Sequence, residues 1–174
     1  MNCKLIIPTS EYADEIKAYR AEMNEAKSPL DGAIALESFE DPLEWIEYNR
    51  GLMNEDALPE GFVQATQFIY VRESDNKIVG MANVRHRLND YLNNYGGNIG
   101  YSVRPSERRK GYAKSMLKEA LAFCRALGIK RALITCNTDN AASRRTILAN
   151  GGVYENTLKE PDGNKYIERY WIEV

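Results

Sequence analysis

The sequence predicts an α/β (α+β) fold, a mixed central sheet flanked by helices, built as one domain over residues 1–174. Two observations predict it. Short apolar runs bounded by turn residues alternate with longer segments carrying apolar residues at i, i+3 and i+4, the periods of strand and helix. That alternation runs through the chain without a linker, a repeat or a low-complexity stretch. With 44% hydrophobic and 28% charged residues, 174 positions suffice to bury most of the apolar surface unaided.

Cys3-Lys-Leu-Ile-Ile-Pro8 reads as a first strand ended by its proline. Thr9 or Ser10 can cap a helix running to about Met23, with Glu11 placed where a helix dipole favours a carboxylate. Residues 24–40 read as irregular, with Ser28-Pro29 and Asp31-Gly32 as turn signals. A second helix starts near Asp41 and carries Leu43, Trp45, Ile46 and Leu52. After a loop at 55–65, Phe68–Arg72 and Ile78–His86 read as strands joined by the turn Ser74-Asp75-Asn76-Lys77. A polar loop at 87–97 leads into a strand from Asn98 to Val103. The next helix sets Ala113, Met116, Leu117, Ala120, Leu121, Cys124 and Leu127 on one face and stops at Gly128. Arg131–Cys136 reads as a buried strand, and Asp139 or Asn140 caps a helix that ends at Asn150-Gly151-Gly152. Residues 153–159 and 165–174 form a hairpin around Pro161-Asp162-Gly163-Asn164.

Composition narrows the function. A net charge of −2 argues against a general nucleic-acid binder, so the basic cluster at 104–110 is local. No stretch approaches the roughly 20 apolar residues of a membrane span, and the apolar run after Met1 is too short for a signal peptide. Cys3, Cys124 and Cys136 form no CxxC pair and no disulfide framework, so they read as free thiols in a reducing cytoplasm. One histidine and no Cys/His spacing leave no expectation of a metal.

The most informative stretch is 101–113, Tyr-Ser-Val-Arg-Pro-Ser-Glu-Arg-Arg-Lys-Gly-Tyr-Ala. An apolar strand ends, a basic turn follows, and a long amphipathic helix begins. Such a turn presents successive backbone N–H groups and the positive end of a helix dipole, which suits a phosphate or pyrophosphate. Arg108, Arg109 and Lys110 add full charges, Gly111 lets an anion approach the backbone, and Ala113 stays small. A P-loop is excluded, because Gly111-Tyr-Ala-Lys-Ser115 lacks the upstream glycine.

Arg108-Arg109-Lys110-Gly111-Tyr112-Ala113 resembles the acyl-coenzyme A signature of the Gcn5-related N-acetyltransferase (GNAT) superfamily, and the element order matches that family from end to end. The run 84–97 together with the cradle is similar to a bacterial subgroup of predicted acetyltransferases. The resemblance implies a splayed pair of parallel strands, one before the cradle and one after its helix, forming the acyl-CoA cleft. It implies acetyl-CoA as co-substrate, held by Arg108 to Lys114 and by main-chain groups of Tyr101 and Val103. It places Asn140 and Ser143 against the pantetheine arm.

The resemblance also shows a departure. Where many members carry the tyrosine that protonates the departing thiolate, this chain has Ile147, leaving Tyr101, Tyr154 or Tyr166 as alternatives. The strand entering the cradle offers no carboxylate or imidazole as general base. His86 is the candidate instead, as base or substrate ligand, and its ordinary pKa suits that chemistry. Arg85 and Arg87 could bind an acidic group of the substrate, and Asn98, where the subgroup often has His, is a candidate substrate contact. The expected activity is acetyl transfer from acetyl-CoA to a primary amine of a small molecule or peptide, by direct attack in a ternary complex. A non-catalytic acyl-CoA-binding module is the alternative. Expected partners exclude nucleic acid and membrane, and the apolar strand Tyr166–Val174 could pair across a homodimer.

Overall fold

β2 (Ala65–Arg72) and β3 (Lys77–Arg85) are buried along nearly their whole length, and the other elements are arranged around them. The structure, a computed structural model, describes residues 2–161 and 163–174. Of the predicted hairpin turn, Asp162 lies outside the described residues. β1 (Cys3–Ile6) and β4 (Ile99–Val103) flank this pair in an antiparallel sheet of order β1-β2-β3-β4. β5 (Arg131–Asn137), β6 (Val153–Lys159) and β7 (Tyr166–Glu173) make a second antiparallel sheet in which β7 lies between the other two.

Helices α1 (Ala13–Glu25) and α2 (Pro42–Gly51) cover one face of the first sheet, where Ile16, Tyr19, Met23 and Trp45 pack on Ile69, Ile78 and Met81. Pro42 occupies the first helical position and Asp41 caps α2, its side chain accepting the Leu43 N–H at 2.8 Å. α3 (Tyr112–Ala126) and α4 (Ala141–Leu148) lie on the opposite face. Leu117, Ala120, Leu121 and Cys124 of α3 touch Phe68, Val84 and Ile99 of one sheet and Ala132, Ile134 and Tyr170 of the other, so one core spans both.

The expected element order and α/β class hold. The sheet itself is divided, because no ladder joins β4 to β5 among the described residues. Their main chains meet where the Asn98 N–H donates to the Leu133 carbonyl at 2.7 Å. Two of the differences from the sequence reading lie close to the site. β2 begins three residues earlier than Phe68, because Thr66 and Gln67 are polar yet buried. Within the expected loop, Leu92–Gly96 forms a π-helical turn, started by the Asn89 side chain accepting the Leu92 N–H at 2.9 Å.

Candidate active site

β4 is the wall on which everything functional converges. The Arg85 N–H donates to the Asn98 carbonyl and the Arg104 N–H to that of Val79, at 2.8 and 2.9 Å, and Gly80 pairs with Val103. Bonding alternates along an antiparallel strand, so Gly100 and Ser102 face β3 while Tyr101 and Val103 turn their main-chain groups outward. The outward edge looks into the gap between the two sheets. Tyr101 crosses that gap with its side chain, its hydroxyl hydrogen-bonded to Ser143 Oγ at 2.9 Å. Burial, against the Ser143 bond, pushes the Tyr101 pKa up to about 12.

The cradle follows directly. A short 3-10 turn, Pro105–Glu107, is succeeded by two left-handed residues, Arg109 at φ +62° and Gly111 at φ +86°. Gly111 precedes α3, which has no side-chain cap. No acceptor among the described residues meets the backbone N–H of Arg109, Lys110, Gly111, Ala113 or Lys114. No atom lies within 4 Å of where a Gly111 Cβ would stand, so the approach is open.

Beneath the turn, Glu107 is only 4% exposed and pairs with Arg72, Lys77 and Lys110, each at 2.9 Å. Burial alone would raise its pKa, but these three cations outweigh burial and hold it at about 2. Lys110 is thus tied to Glu107, while Arg108, Arg109 and Lys114 have no carboxylate partner among the described residues. Arg108 donates from Nε to the Val103 carbonyl at 3.1 Å and from Nη2 to Ser28 Oγ. Tyr112 turns its ring into the core.

Across β4, on the α1–α2 side, lies a polar cavity of about 470 Å³, bounded by the 24–37 segment and Arg85. The segment rests directly on the strand, for a Cβ on Gly32 would stand 2.5 Å from the Gly100 carbonyl oxygen. Gln67 and Trp45 hold it there. Gln67 Nε2 donates to the Gly32 carbonyl at 2.7 Å, Gln67 Oε1 accepts the Ile34 N–H at 3.2 Å, and Trp45 Nε1 donates to the Ile34 carbonyl at 2.7 Å. Arg85 lies over the strand, its Nη2 3.2 Å from where a Gly100 Cβ would be. Asp31 faces the same cavity, and burial raises its pKa despite Lys165 and Arg85 nearby.

Several expected roles do not survive this geometry. His86 points to the α3 face, not the cavity, with Nε2 2.8 Å from Thr66 Oγ1 and its ring against Phe123 near the far end of α3. The strand alternation that puts Arg85 in the cavity puts its neighbour on the other side. Asn98 is buried, accepting the Leu133 N–H at 2.8 Å and donating to the Arg85 carbonyl at 3.3 Å, so its amide stitches the two sheets together. Tyr154 stands on the edge strand β6, two strands from β5, bonded to Thr157 Oγ1 at 2.9 Å. Ile147 is core. Asn140 caps α4, accepting the Ser143 N–H at 3.0 Å, and its amide NH2 has no partner among the described residues. Asp31 was missed: the only sign of it was an Asp-Gly turn within an unusually long connection between two helices.

An open, basic turn suited to a phosphate and a polar cavity thus share one strand, the layout of a transferase. The profile of the acetyltransferase (GNAT) family matches residues 25–151, which contain the strand, the cradle and most of the cavity. The chain belongs to this family and is an acetyl-CoA-dependent acetyltransferase. Similar solved structures agree in fold. The ribosomal-protein-S5-alanine acetyltransferase of Vibrio fischeri superposes with a TM-score of 0.74 at 16% identity, covering 99% of this chain and 93% of that one. An acetyltransferase of Salmonella typhimurium, which modifies the N-terminal serine of ribosomal protein L7/L12, gives 0.71 at 17% identity over 100% and 96%. The microcin C7 self-immunity acetyltransferase, solved with acetyl-CoA and AMP, gives 0.69 at 21% identity over 99% and 92%. No curated protein matches the chain in sequence.

The residues present fit acetyl-CoA: unpaired N–H groups and free cations for a pyrophosphate, and an unpaired strand edge for an amide-bearing arm. Among the described residues no group of His, Cys, Asp and Glu could hold a metal ion, and no helix is long and apolar enough to cross a membrane. Cys124 and Cys136 are free and buried.

Proposed function

We propose that the chain acetylates a primary amine of a small molecule or peptide, by direct attack while both substrates are bound on opposite sides of β4. The observation that carries this reading is the position of the α1–α2 cavity. Two of its lining residues, Gly32 and Arg85, lie against Gly100, the chain neighbour of Tyr101, whose main chain faces the gap between the sheets. Proximity of this kind is itself a large part of catalysis.

Acetyl-CoA supplies an activated acyl carbon. The chain's residues do the rest. The N–H groups of Arg109, Lys110, Gly111, Ala113 and Lys114, with the Arg108 and Arg109 side chains, bind the pyrophosphate, and the outward main chain of Tyr101 and Val103 with the Asn140 amide aligns the arm. The Val103 N–H, facing the gap, polarises the thioester carbonyl. Asp31 accepts the proton released from the attacking amine, and the neutral Tyr101 hydroxyl gives one to the leaving sulfur. A peptide acceptor is in scope because one structural neighbour modifies a protein N-terminus.

The test is thiol release from acetyl-CoA with pooled primary amines, followed by mass spectrometry of the products. Release is expected to depend on one pool. Arg108→Ala and Gly111→Asp are expected to raise KM for acetyl-CoA by about tenfold or more, because each removes favourable charge from the cradle. Tight acetyl-CoA binding without any acetylated amine would overturn the reading.

A further inference from the structure

Among the described arginines that are partly or fully buried, Arg20 and Arg85 are without an anion, and of the two only Arg85 lines the cavity. Arg72, Arg104, Arg144 and Arg169 each hold a carboxylate in an ion pair. Arg85 has only backbone carbonyls, those of Gly96 at 3.2 Å and Gly97 at 3.5 Å, both reached from Nη1. Its Nε and Nη2 have no partner among the described residues. The guanidinium is nevertheless drawn far enough from water that burial lowers its pKa to about 10, although Asp31 acts in the opposite sense. A cation kept in that state is costly unless something arrives to satisfy it.

Both its position and its company narrow what arrives. Gly100 leaves the strand bare, so that Arg85 lies across β4 beside the point where the amine must attack. Asp31 and Glu37 line the same cavity, and the Asp31 side chain has no hydrogen-bond partner among the described residues. With Lys165 also near Asp31, two cations and two carboxylates balance there, which gives no net attraction for a multiply charged anion such as a phosphate. They suit a molecule carrying one positive and one negative group. The backbone contact of Gly32 on Gly100 also denies a polypeptide the space to lie over the strand there.

We propose that the acceptor is a small amino-acid-like zwitterion, its carboxylate seated on the Arg85 guanidinium and its amine beside Asp31. The assignment rests on the N-acetyltransferase reading of the same site. The nitrogen lone pair forms the new C–N bond, the C–S bond breaks, the thiolate leaves with the electron pair, and the surplus ammonium proton passes to Asp31. A peptide N-terminus, whose carboxylate has become an amide, would lack the group that Arg85 recognises.

The experiment compares the proteinogenic amino acids with their carboxamides and with short peptides as acceptors, and measures their binding to the CoA-loaded protein by calorimetry. Free acids are expected to exceed their amides in kcat/KM by about 30-fold, the scale of a charge-assisted pair. In Arg85→Met that ratio is expected to fall to near one, with Arg85→Lys intermediate. Equal use of acids and amides by the wild type, or preference for peptides, would overturn the proposal without any variant being needed. Binding of the acids through Arg85 with no transfer to any acceptor would keep the assignment and overturn the catalytic reading instead.

Discussion

Asp31 and Tyr101 face each other's work from two sides of one strand, and each has been given an unusual affinity for its proton. Burial raises the pKa of Asp31 above that of a free carboxylate, while Lys165 and Arg85 resist, and Tyr19 and Tyr101 are also near enough to feel its charge. A base must be ionised to act, so kcat/KM is expected to fall on acidification, beginning at a higher pH than an ordinary aspartate would give. Asp31→Asn should remove that acidic limb and lower kcat by about 100-fold or more; an unchanged limb would transfer the role to another group. Tyr101 stays protonated throughout the neutral range, as a proton donor should. Tyr101→Phe is expected to lower kcat by about tenfold or more with little change in KM for the amine, measured by steady-state kinetics. The sequence offered Tyr101 as one of three alternatives with Tyr154 and Tyr166; Tyr101 stands on β4 and spans the gap to Ser143, whereas Tyr154 stands on the edge strand β6. The sequence also offered His86, because antiparallel pairing of its strand with β4 brings it near Asn98, but one step along a pleated strand reverses the side on which a residue lies.

At the level of elements, the strands and helices were legible wherever period and punctuation agreed. α3 shows its face, its glycine start and its glycine stop in the sequence, and the cradle is readable for the same reason. The first half of β2 was not legible. Thr66 and Gln67 look like loop residues, yet Gln67 is buried because it satisfies the backbone of the segment that forms the acceptor cavity. Polar residues buried in service of another element carry no periodic signal. Asn98 belongs to this class, and its loss has a readable cost. Asn98→Ala would leave the buried Leu133 N–H without an acceptor, so unfolding free energy should drop by about 2 kcal/mol in urea titration. The Leu133 amide should also lose hydrogen-exchange protection before the rest of β5. Retained protection would show that the sheets are joined in some other way.

For the molecule as a whole, Glu107 binds the cradle to the sheet, for it links Lys110 to Arg72 at the end of β2 and Lys77 at the start of β3. Its pKa is lowered from an ordinary 4.5 to about 2, so the stabilisation is complete above 4.5 and is lost as pH falls from there towards 2. After allowance for solvent around the half-exposed Lys110, it amounts to about 2 kcal/mol. Glu107→Gln should flatten the acid limb of the stability curve and weaken acetyl-CoA binding together, as measured by melting temperature against pH and by calorimetry. Neither composition nor periodicity shows the opening that divides the sheet between β4 and β5, since each reads as an ordinary apolar strand; only the family resemblance implied that the two splay apart.

That division bears on solubility as well as on catalysis. A strand with one unpaired edge is a template on which a neighbouring copy can anneal. Here the exposed stretch is very short, closed at one end where Asn98 meets Leu133 and bridged at Tyr101 by the bond to Ser143. The opening that admits a cofactor arm therefore offers another copy only a few residues of edge on which to pair.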